Sequence, residues 1–223
     1  MNWFEIDSAG LKNQVARKPK HFIIYELVQN AFDSSATEVD VFILKRGKEV
    51  EIVVQDNCSE GFKDKTHAYT LYAHSSKAED ITKRGRFNFG EKFAIASCIR
   101  STVKTTSGTI IFDEKGRTEN DEKTECGTIF TGFIELKEEE YKSLLERAKL
   151  IIPPKGIAYR INNDEISSKN ALDAFSCYMK TEVITATGLL KEEYSSSKVI
   201  VHQAVKEAWI YELGIPVQII PGR

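Results

Sequence analysis

The chain has 223 residues, of which 41% are hydrophobic and 29% are charged, and this composition is typical of an ordinary globular protein. Its 31 basic and 33 acidic side chains give a net charge of −2, so no overall field favours DNA or a membrane surface. The four cysteines lie far apart and form no C-x-x-C pair, which favours free thiols in a reducing compartment over a zinc site. No apolar run has the length of a transmembrane helix, and residues 1–5 lack the features of a signal peptide. We therefore expect a cytoplasmic protein.

The first strong pattern is a predicted helix over residues 21–35, which follows a short helix capped by Ser8 and a helix-starting Pro19. Glu26, Asn30 and Asp33 are spaced by four and three residues, which places them within roughly 60° on one stripe of this helix. Most of the remaining surface is apolar, which predicts burial. A buried helix that keeps such a stripe indicates a polar site, whereas the alternative is the solvated face of an amphipathic helix.

Two predicted strands, residues 39–44 and 50–55, form a hairpin around Gly47. Asp56 follows the second strand and leads into small residues and Gly61. A carboxylate at a strand end, next to a glycine that permits close backbone approach, could accept a hydrogen bond from an exocyclic amine such as that of adenine. The alternative is a turn capped by an aspartate.

Residues 64–73 are predicted to be helical, and a long polar loop follows. The loop contains a polar triplet and then a glycine-rich segment that runs into a helix beginning near Phe93. The residues concerned are Ser75, Ser76, Lys77, Gly85, Arg86, Phe87, Asn88, Phe89, Gly90 and Lys92. Glycine-rich turns that feed a helix N-terminus suit phosphate, and neighbouring basic side chains add positive charge. The segment is neither a Walker A loop, because Glu91 occupies the lysine position, nor a Rossmann fingerprint, because no strand immediately precedes it.

Further strands are predicted over residues 101–105, 109–112 and 127–135, with a charged, solvated loop over 115–125. A helix over 138–150 and a short hairpin over 157–166 follow. Helices interleaved with hairpin strands predict an α+β fold, a two-layer sandwich with a mixed sheet and helices on one face.

The pattern changes near residue 167, so we predict one domain over 1–167 and the beginning of a second over 168–223. In the second unit, strands are predicted over 174–179, 182–187 and 198–202, with a polar stretch over 191–197. About 55 residues are marginal for an independent domain, so we expect the chain to be part of a longer protein.

Four of these segments, in this order, resemble the boxes of the GHKL ATPase superfamily, which has the Bergerat nucleotide-binding fold. The helix with Glu26, Asn30 and Asp33 resembles the first box, and residues 56–61 resemble the second. Residues 85–90, led by 75–77, resemble the glycine-rich lid, and Gly127-Thr128 resembles the last box. The resemblance covers roughly residues 22–166.

This resemblance implies a role for each matching residue. Glu26 would be the general base that polarises the attacking water, Asn30 would hold Mg²⁺, and Asp33 would lie close to the nucleotide. Asp56 would bind the adenine amine, supported by Thr128, and Gly61 would allow the base to approach. The glycine-rich segment would wrap the phosphates of ATP, with Lys92 as a further phosphate contact.

Two positions depart from the family pattern. Cys58 stands where a glycine is usual and Glu60 crowds the same turn, so that either base binding is altered there or the loop is one residue longer. Asn88-Phe89 precede Gly90 where Gly-x-Gly is common, which puts tight phosphate wrapping in doubt.

The resemblance implies ATP as ligand, Mg²⁺ as cofactor and an ATPase that hydrolyses ATP slowly. Glu26 distinguishes the chain from histidine kinases, which usually lack a glutamate there. Residues after 167 resemble the start of a transducer module, which implies a homodimer closed by ATP, with a protein or DNA client. The alternatives are a nucleotide-gated binding module without hydrolysis, or a chaperone-like or protein-kinase branch of the same fold.

Overall fold

The computed structural model describes residues 7–61, 64–70, 90–184, 190–204 and 207–221. The helices are α1 (Ser8–Ala16), α2 (Phe22–Phe32), α3 (Gly90–Ser97) and α4 (Glu138–Ala148). The strands of the main body are β1 (Glu38–Arg46), β2 (Glu49–Asp56), β3 (Arg100–Thr105), β4 (Gly108–Asp113), β5 (Gly116–Asn120), β6 (Thr128–Glu135), β7 (Ala158–Ile161) and β8 (Asp164–Glu165). Two hairpins follow, formed by β9 (Ala171–Ile184) with β10 (Leu190–His202) and by β11 (Ala208–Glu212) with β12 (Ile215–Ile220).

An eight-stranded sheet forms the centre, in the order β5-β4-β3-β6-β2-β1-β7-β8. Strands β1 and β7 run parallel, whereas the other neighbours are antiparallel, so the sheet is mixed. Burial alternates along β1, β2 and β6, as expected for strands with one face in the core. Helix α2 packs against β1 and β2, α3 packs against β6, and Leu144 of α4 joins the same core. This arrangement confirms the predicted α+β class.

Several element boundaries differ from the sequence-based prediction. Helix α2 ends at Phe32, and residues 65–68 form a 3₁₀ turn whose N-terminus is capped by the Asp64 side chain. Helix α1 begins at Ser8, and Asp7 Oδ2, one residue before it, accepts the Gly10 N–H at 3.2 Å. Local side-chain hydrogen bonds therefore decide where these helices begin.

The charged segment predicted as a loop contains the edge strand β5, all of whose residues are exposed. It pairs with β4 from Thr109–Asn120 to Asp113–Gly116. Strand pairing uses backbone groups, so a hydrophilic sequence can extend a sheet without burying any side chain. The sequence of β5 therefore shows no alternation of apolar and polar residues, although the segment forms a strand.

The polar stretch over 191–197 is likewise strand, because it lies within β10 and pairs antiparallel with β9. The β11–β12 hairpin is tied to the main body, since Ile152 N–H donates to the Gly214 carbonyl at 2.9 Å and Ile215 is part of the hydrophobic core. The division at residue 167 stays a prediction. Among the described residues, every helix is too short or too polar to cross a membrane.

The core between the sheet and the helices generates a test of the fold. Ile52 of β2 is fully buried and pairs with Ile43, whereas Leu44 on the opposite face is 42% exposed. We expect Ile52→Ala to lower the free energy of unfolding by about 2–5 kcal/mol, because it leaves a cavity in a close-packed core. The control Leu44→Ala should cost less than ~1 kcal/mol. Urea unfolding followed by circular dichroism measures both, and equal losses would show that the two faces of the sheet are not buried as described.

Candidate functional site

Helix α2 carries the polar stripe on a largely buried helix. Seven of its 11 residues are buried, including Ile24 and Val28 with no exposed surface. Glu26 and Asn30 are half-buried, and Asp33 is the half-buried C-cap whose N–H donates to the Gln29 carbonyl at 2.9 Å. The fold thus keeps two carboxylates and an amide at the border between core and solvent, where a polar ligand can reach them.

The first turn of α3 lies directly against the Glu26 carboxylate. A Cβ atom placed on Gly90 would lie only 2.5 Å from Glu26 Cδ and 3.0 Å from Cγ, and it would overlap Oε2. Helices α2 and α3 are packed neighbours, which brings this carboxylate to the N-terminal end of α3. The first predicted box and the last residue of the predicted glycine-rich segment are therefore together in space.

The loop after β2 is closed by backbone hydrogen bonds. Asp56 Oδ1 accepts the Cys58 N–H at 2.9 Å, which is the hydrogen bond of an Asx turn. The Cys58 carbonyl accepts two N–H groups, from Gly61 at 3.3 Å and from Gly127 at 2.7 Å. The second predicted box is thereby joined to the last one.

Two glycines in this region are required by close packing and by backbone conformation. Gly61 has φ +55°, and a Cβ there would lie 2.8 Å from Thr106 Oγ1. Gly127 has φ +68°, and a Cβ there would overlap the Asp56 carbonyl. Side chains are disfavoured at such positive φ values, so glycine fits both positions. Gln55 pairs with Ile129 between β2 and β6, which makes Asp56 and Thr128 the next residues along these adjacent strands.

Cys58, the residue that departs from the family pattern, belongs to the hydrophobic core and is 8% exposed. Its Sγ lies 3.2 Å from Ser35 Oγ, just beyond the end of α2. Burial raises the pKa of the Cys58 thiol, but hydrogen bonds with the Ser35 side chain and with backbone groups of Glu60, Ser35 and Gly61 outweigh it, so the pKa is lowered overall. The thiol thus occupies core space behind the loop and ties the loop to α2.

Lys92, the predicted phosphate contact, has partners within the protein. Its Nζ donates to the His67 carbonyl, and the Glu91 carboxylate is 3.9 Å away. Lys92 is only 5% exposed, and this burial lowers its pKa while Glu91 opposes the shift. The side chain therefore links α3 to the 3₁₀ turn at residues 65–68, and the phosphate contact stays a prediction.

The remaining predicted residues of the lid lie outside the described part of the chain. They are Ser75, Ser76, Lys77, Gly85, Arg86, Phe87, Asn88 and Phe89.

Among the described ranges, no group of three or more histidine, cysteine, aspartate or glutamate residues is placed to hold a metal ion. The donors near the stripe nevertheless suit Mg²⁺ chemically, because Asn30 offers an amide oxygen one turn from the Glu26 carboxylate. Magnesium usually takes one or two protein oxygens and completes its shell with substrate phosphates and water. A cluster of three protein ligands is not required for that mode of binding.

The structure adds residues that the sequence pattern did not single out. Ser35 contacts Cys58, Thr106 Oγ1 donates to the Glu60 carbonyl at 2.8 Å, and Thr124 Oγ1 donates to the Gly127 carbonyl at 2.8 Å. These hydroxyls fix the loop on which Asp56 and Gly61 lie. Single serines and threonines in strands and loops carry no distinctive spacing, so no sequence signal marked them.

Among solved structures, the chain is similar to the ATPase region of Saccharomyces cerevisiae topoisomerase II, with 15% sequence identity and a TM-score of 0.49. The same region bound to ICRF-187 (dexrazoxane) gives 14% identity and a TM-score of 0.48. Each match covers 65% of this chain and 48% of that chain, so the chain spans about half the length of these structures. No curated protein matches the sequence.

A family model provides the assignment. The model described as histidine kinase-, DNA gyrase B- and HSP90-like ATPase matches residues 18–146, which is more than half of the chain. The matched range contains α2, the loop after β2, the start of α3 and the Gly127-Thr128 segment. The chain therefore belongs to the family of histidine kinase-, DNA gyrase B- and HSP90-like ATPases, as the GHKL resemblance predicted.

Proposed function

We propose that the chain binds ATP with Mg²⁺ and hydrolyses it slowly, and that the bound nucleotide drives a conformational switch that closes a homodimer. The observation that carries this proposal is the convergence of three features in a member of this ATPase family. The half-buried stripe of α2 lies against the start of α3, and the Asp56 loop is tied to the end of α2 through Ser35.

Nucleobase binding is assigned to the loop after β2. The Asp56 carboxylate can accept the exocyclic amine of adenine, since one of its oxygens is used by the Cys58 N–H and a carboxylate has several acceptor positions. Gly61 would let its backbone approach the base, while Thr106 fills the space that a side chain would take, and Thr128 would support Asp56 from the adjacent strand. The loop is braced by hydrogen bonds to Gly127 and Thr106, which favours a preformed site.

Hydrolysis is assigned to the stripe of α2. Glu26 would accept a proton from the attacking water, and its half-buried position restricts competing solvent. Asn30, one turn further along, would supply a metal ligand, and Asp33 would lie near the nucleotide at the end of the helix. A Mg²⁺ ion held by Asn30 would supply positive charge that neutralises the phosphates.

Phosphate binding is assigned to Gly90 and to the residues that precede it in the sequence, namely Ser75, Ser76, Lys77, Gly85, Arg86, Phe87, Asn88 and Phe89. Lys92 would join them while it keeps the His67 carbonyl, because its ammonium group has three N–H donors. The location would be cytoplasmic, and the client would be a protein or DNA.

The first test compares the wild-type chain with Glu26→Gln and Asn30→Ala, by calorimetry of ATP with Mg²⁺ and by phosphate release. Glu26→Gln should bind ATP normally and release phosphate about 100- to 10,000-fold more slowly, because the amide cannot act as a base. Asn30→Ala should lose the Mg²⁺ dependence of binding. Glu51→Gln on the opposite face of the sheet is the control and should match wild type.

Binding without phosphate release in the wild-type chain would favour the gated module that does not hydrolyse ATP. Absence of ATP binding by the wild-type chain would contradict the proposal altogether.

The second test concerns base recognition. Asp56→Asn keeps the oxygen that accepts the Cys58 N–H but loses the charge that favours an amine donor. We expect at least a roughly 10-fold weaker affinity for ATP, since hydrogen bonds to charged groups contribute about 1.5–3 kcal/mol. Asp40→Asn is the matched control, because Asp40 bonds Arg160 on the outer face of the sheet. Equal affinities of Asp56→Asn and wild type would remove Asp56 from the adenine site.

The third test separates packing from backbone strain at the glycine of this loop. Gly61 and Gly47 have similar positive φ values, +55° and +65°, but only Gly61 has atoms within 4 Å of an added Cβ. Gly47→Ala should cost about 1–2 kcal/mol of stability from strain alone. Gly61→Ala should cost more and also weaken ATP binding, because its methyl group displaces Thr106. If Gly61→Ala and Gly47→Ala changed the free energy of unfolding and the calorimetric affinity for ATP equally, the result would contradict this role of packing at Gly61.

A further inference from the structure

The contact between Gly90 and Glu26 is closer than any side chain at position 90 would permit. An added Cβ would stand 2.5 Å from Glu26 Cδ and 3.0 Å from Cγ, whereas ordinary contacts of this kind begin at 3.4 Å. Three consecutive atoms of the Glu26 side chain, Cγ, Cδ and Oε2, would therefore be crowded at once. The glutamate end group is held against the backbone of the first turn of α3.

Nothing in the conformation of Gly90 itself requires glycine. It is the first residue of α3, and its φ is outside the left-handed range in which glycine is favoured. Glycine is also among the least favourable residues within a helix, whereas alanine is the most favourable. The absence of a side chain is therefore explained by the neighbouring carboxylate and not by the local backbone.

Crowding at this point would move the side chain of Glu26 more readily than the backbone. The crowded atoms are the far end of the flexible Glu26 side chain, whereas α3 is anchored by the buried Ala94 and by the contact of Lys92 with the His67 carbonyl. A methyl group at position 90 would displace Glu26 Cδ by roughly 1 Å, the difference between 2.5 and 3.4 Å. The fold would survive while the carboxylate changes position.

We propose that Gly90 is a positioning residue for the general base: its missing side chain fixes where the Glu26 carboxylate stands. This inference rests on the proposed hydrolysis by Glu26 and gives Gly90 a role beyond phosphate binding. The phosphate contact assigned to Gly90 would use its backbone N–H, which alanine retains. A displacement of about 1 Å in a reacting group can reduce a rate by roughly 100-fold even where binding is unchanged. The expected defect is therefore in turnover and not in affinity.

The kinetic test compares wild type with Gly90→Ala at saturating ATP and Mg²⁺. We expect kcat for phosphate release to fall about 10- to 100-fold, with the calorimetric Kd for ATP within threefold of wild type. An increased Kd with unchanged kcat would overturn the proposal, because it would make Gly90 a phosphate-binding residue only.

A rescue experiment tests the contact through the length of the acid. In a Glu26→Asp background, the carboxylate stands one methylene further from α3, so Gly90→Ala should lower kcat less than it does beside glutamate. The same fold reduction in both backgrounds would contradict the positioning role.

Gly10→Ala is the matched control for replacing a helical glycine beside a carboxylate. A Cβ on Gly10 in α1 would lie 3.3 Å from Asp7 Oδ2, close to an ordinary contact. The variant should leave kcat and Kd unchanged. A loss of turnover in Gly10→Ala as large as that in Gly90→Ala would point to a general effect of helix substitution.

A stability cycle tests the contact without any hydrolysis. Gly90→Ala should raise Tm when Glu26 is already alanine, because alanine favours the helix, but should raise it less, or lower it, when Glu26 is present. Equal Tm shifts in both backgrounds would overturn the contact itself. If wild type released no phosphate but the shifts differed, the proposed hydrolysis would fail while the contact would stand.

Discussion

The burial of α2 is the constraint on which the rest of the structure depends. Its apolar residues pack against β1 and β2 and leave Glu26 and Asn30 at the border of the core, because an 11-residue helix cannot bury its whole circumference against one sheet. Helix α3 then packs beside α2 and brings Gly90 to the Glu26 carboxylate. The backbone that carries the polar stripe is thus positioned by the same packing that stabilises the domain.

The second constraint is the pairing of β2 with β6. These strands are separated by about 70 residues in the chain, yet they are neighbours in the sheet and place Asp56 beside Thr128. The Gly127 N–H donates to the Cys58 carbonyl, and this hydrogen bond joins the segment after β2 to the segment before β6. A mobile loop has to be ordered when a ligand binds, and the lost conformational entropy weakens the affinity for that ligand. A loop held by hydrogen bonds is already ordered, so its carboxylate can bind at a small entropic cost.

The basic and sulfur-containing residues near the site show how position decides role. Lys92 carries the charge that suits a phosphate, but its Nζ contacts the His67 carbonyl, and burial lowers its pKa. Cys58 replaces a glycine of the family pattern, but its thiol is directed into the core beside Ser35 and leaves the loop closed by backbone hydrogen bonds. The structure thus gives both side chains partners within the protein, and their roles toward a nucleotide stay predictions.

The sequence by itself determined the family and the α+β class. It also predicted helix α2 and the β1–β2 hairpin, because these elements depend on periodicity and on motif spacing within short stretches. It did not determine the edge strand β5 or the strand over 191–197, since backbone pairing holds both without apolar alternation. Tertiary structure alone decided the contact of Gly90 with Glu26, the internal partners of Lys92 and the hydroxyls that brace the Asp56 loop. The reason is physical: each of these depends on the distance between atoms far apart in the chain, and a one-dimensional pattern does not encode such distances.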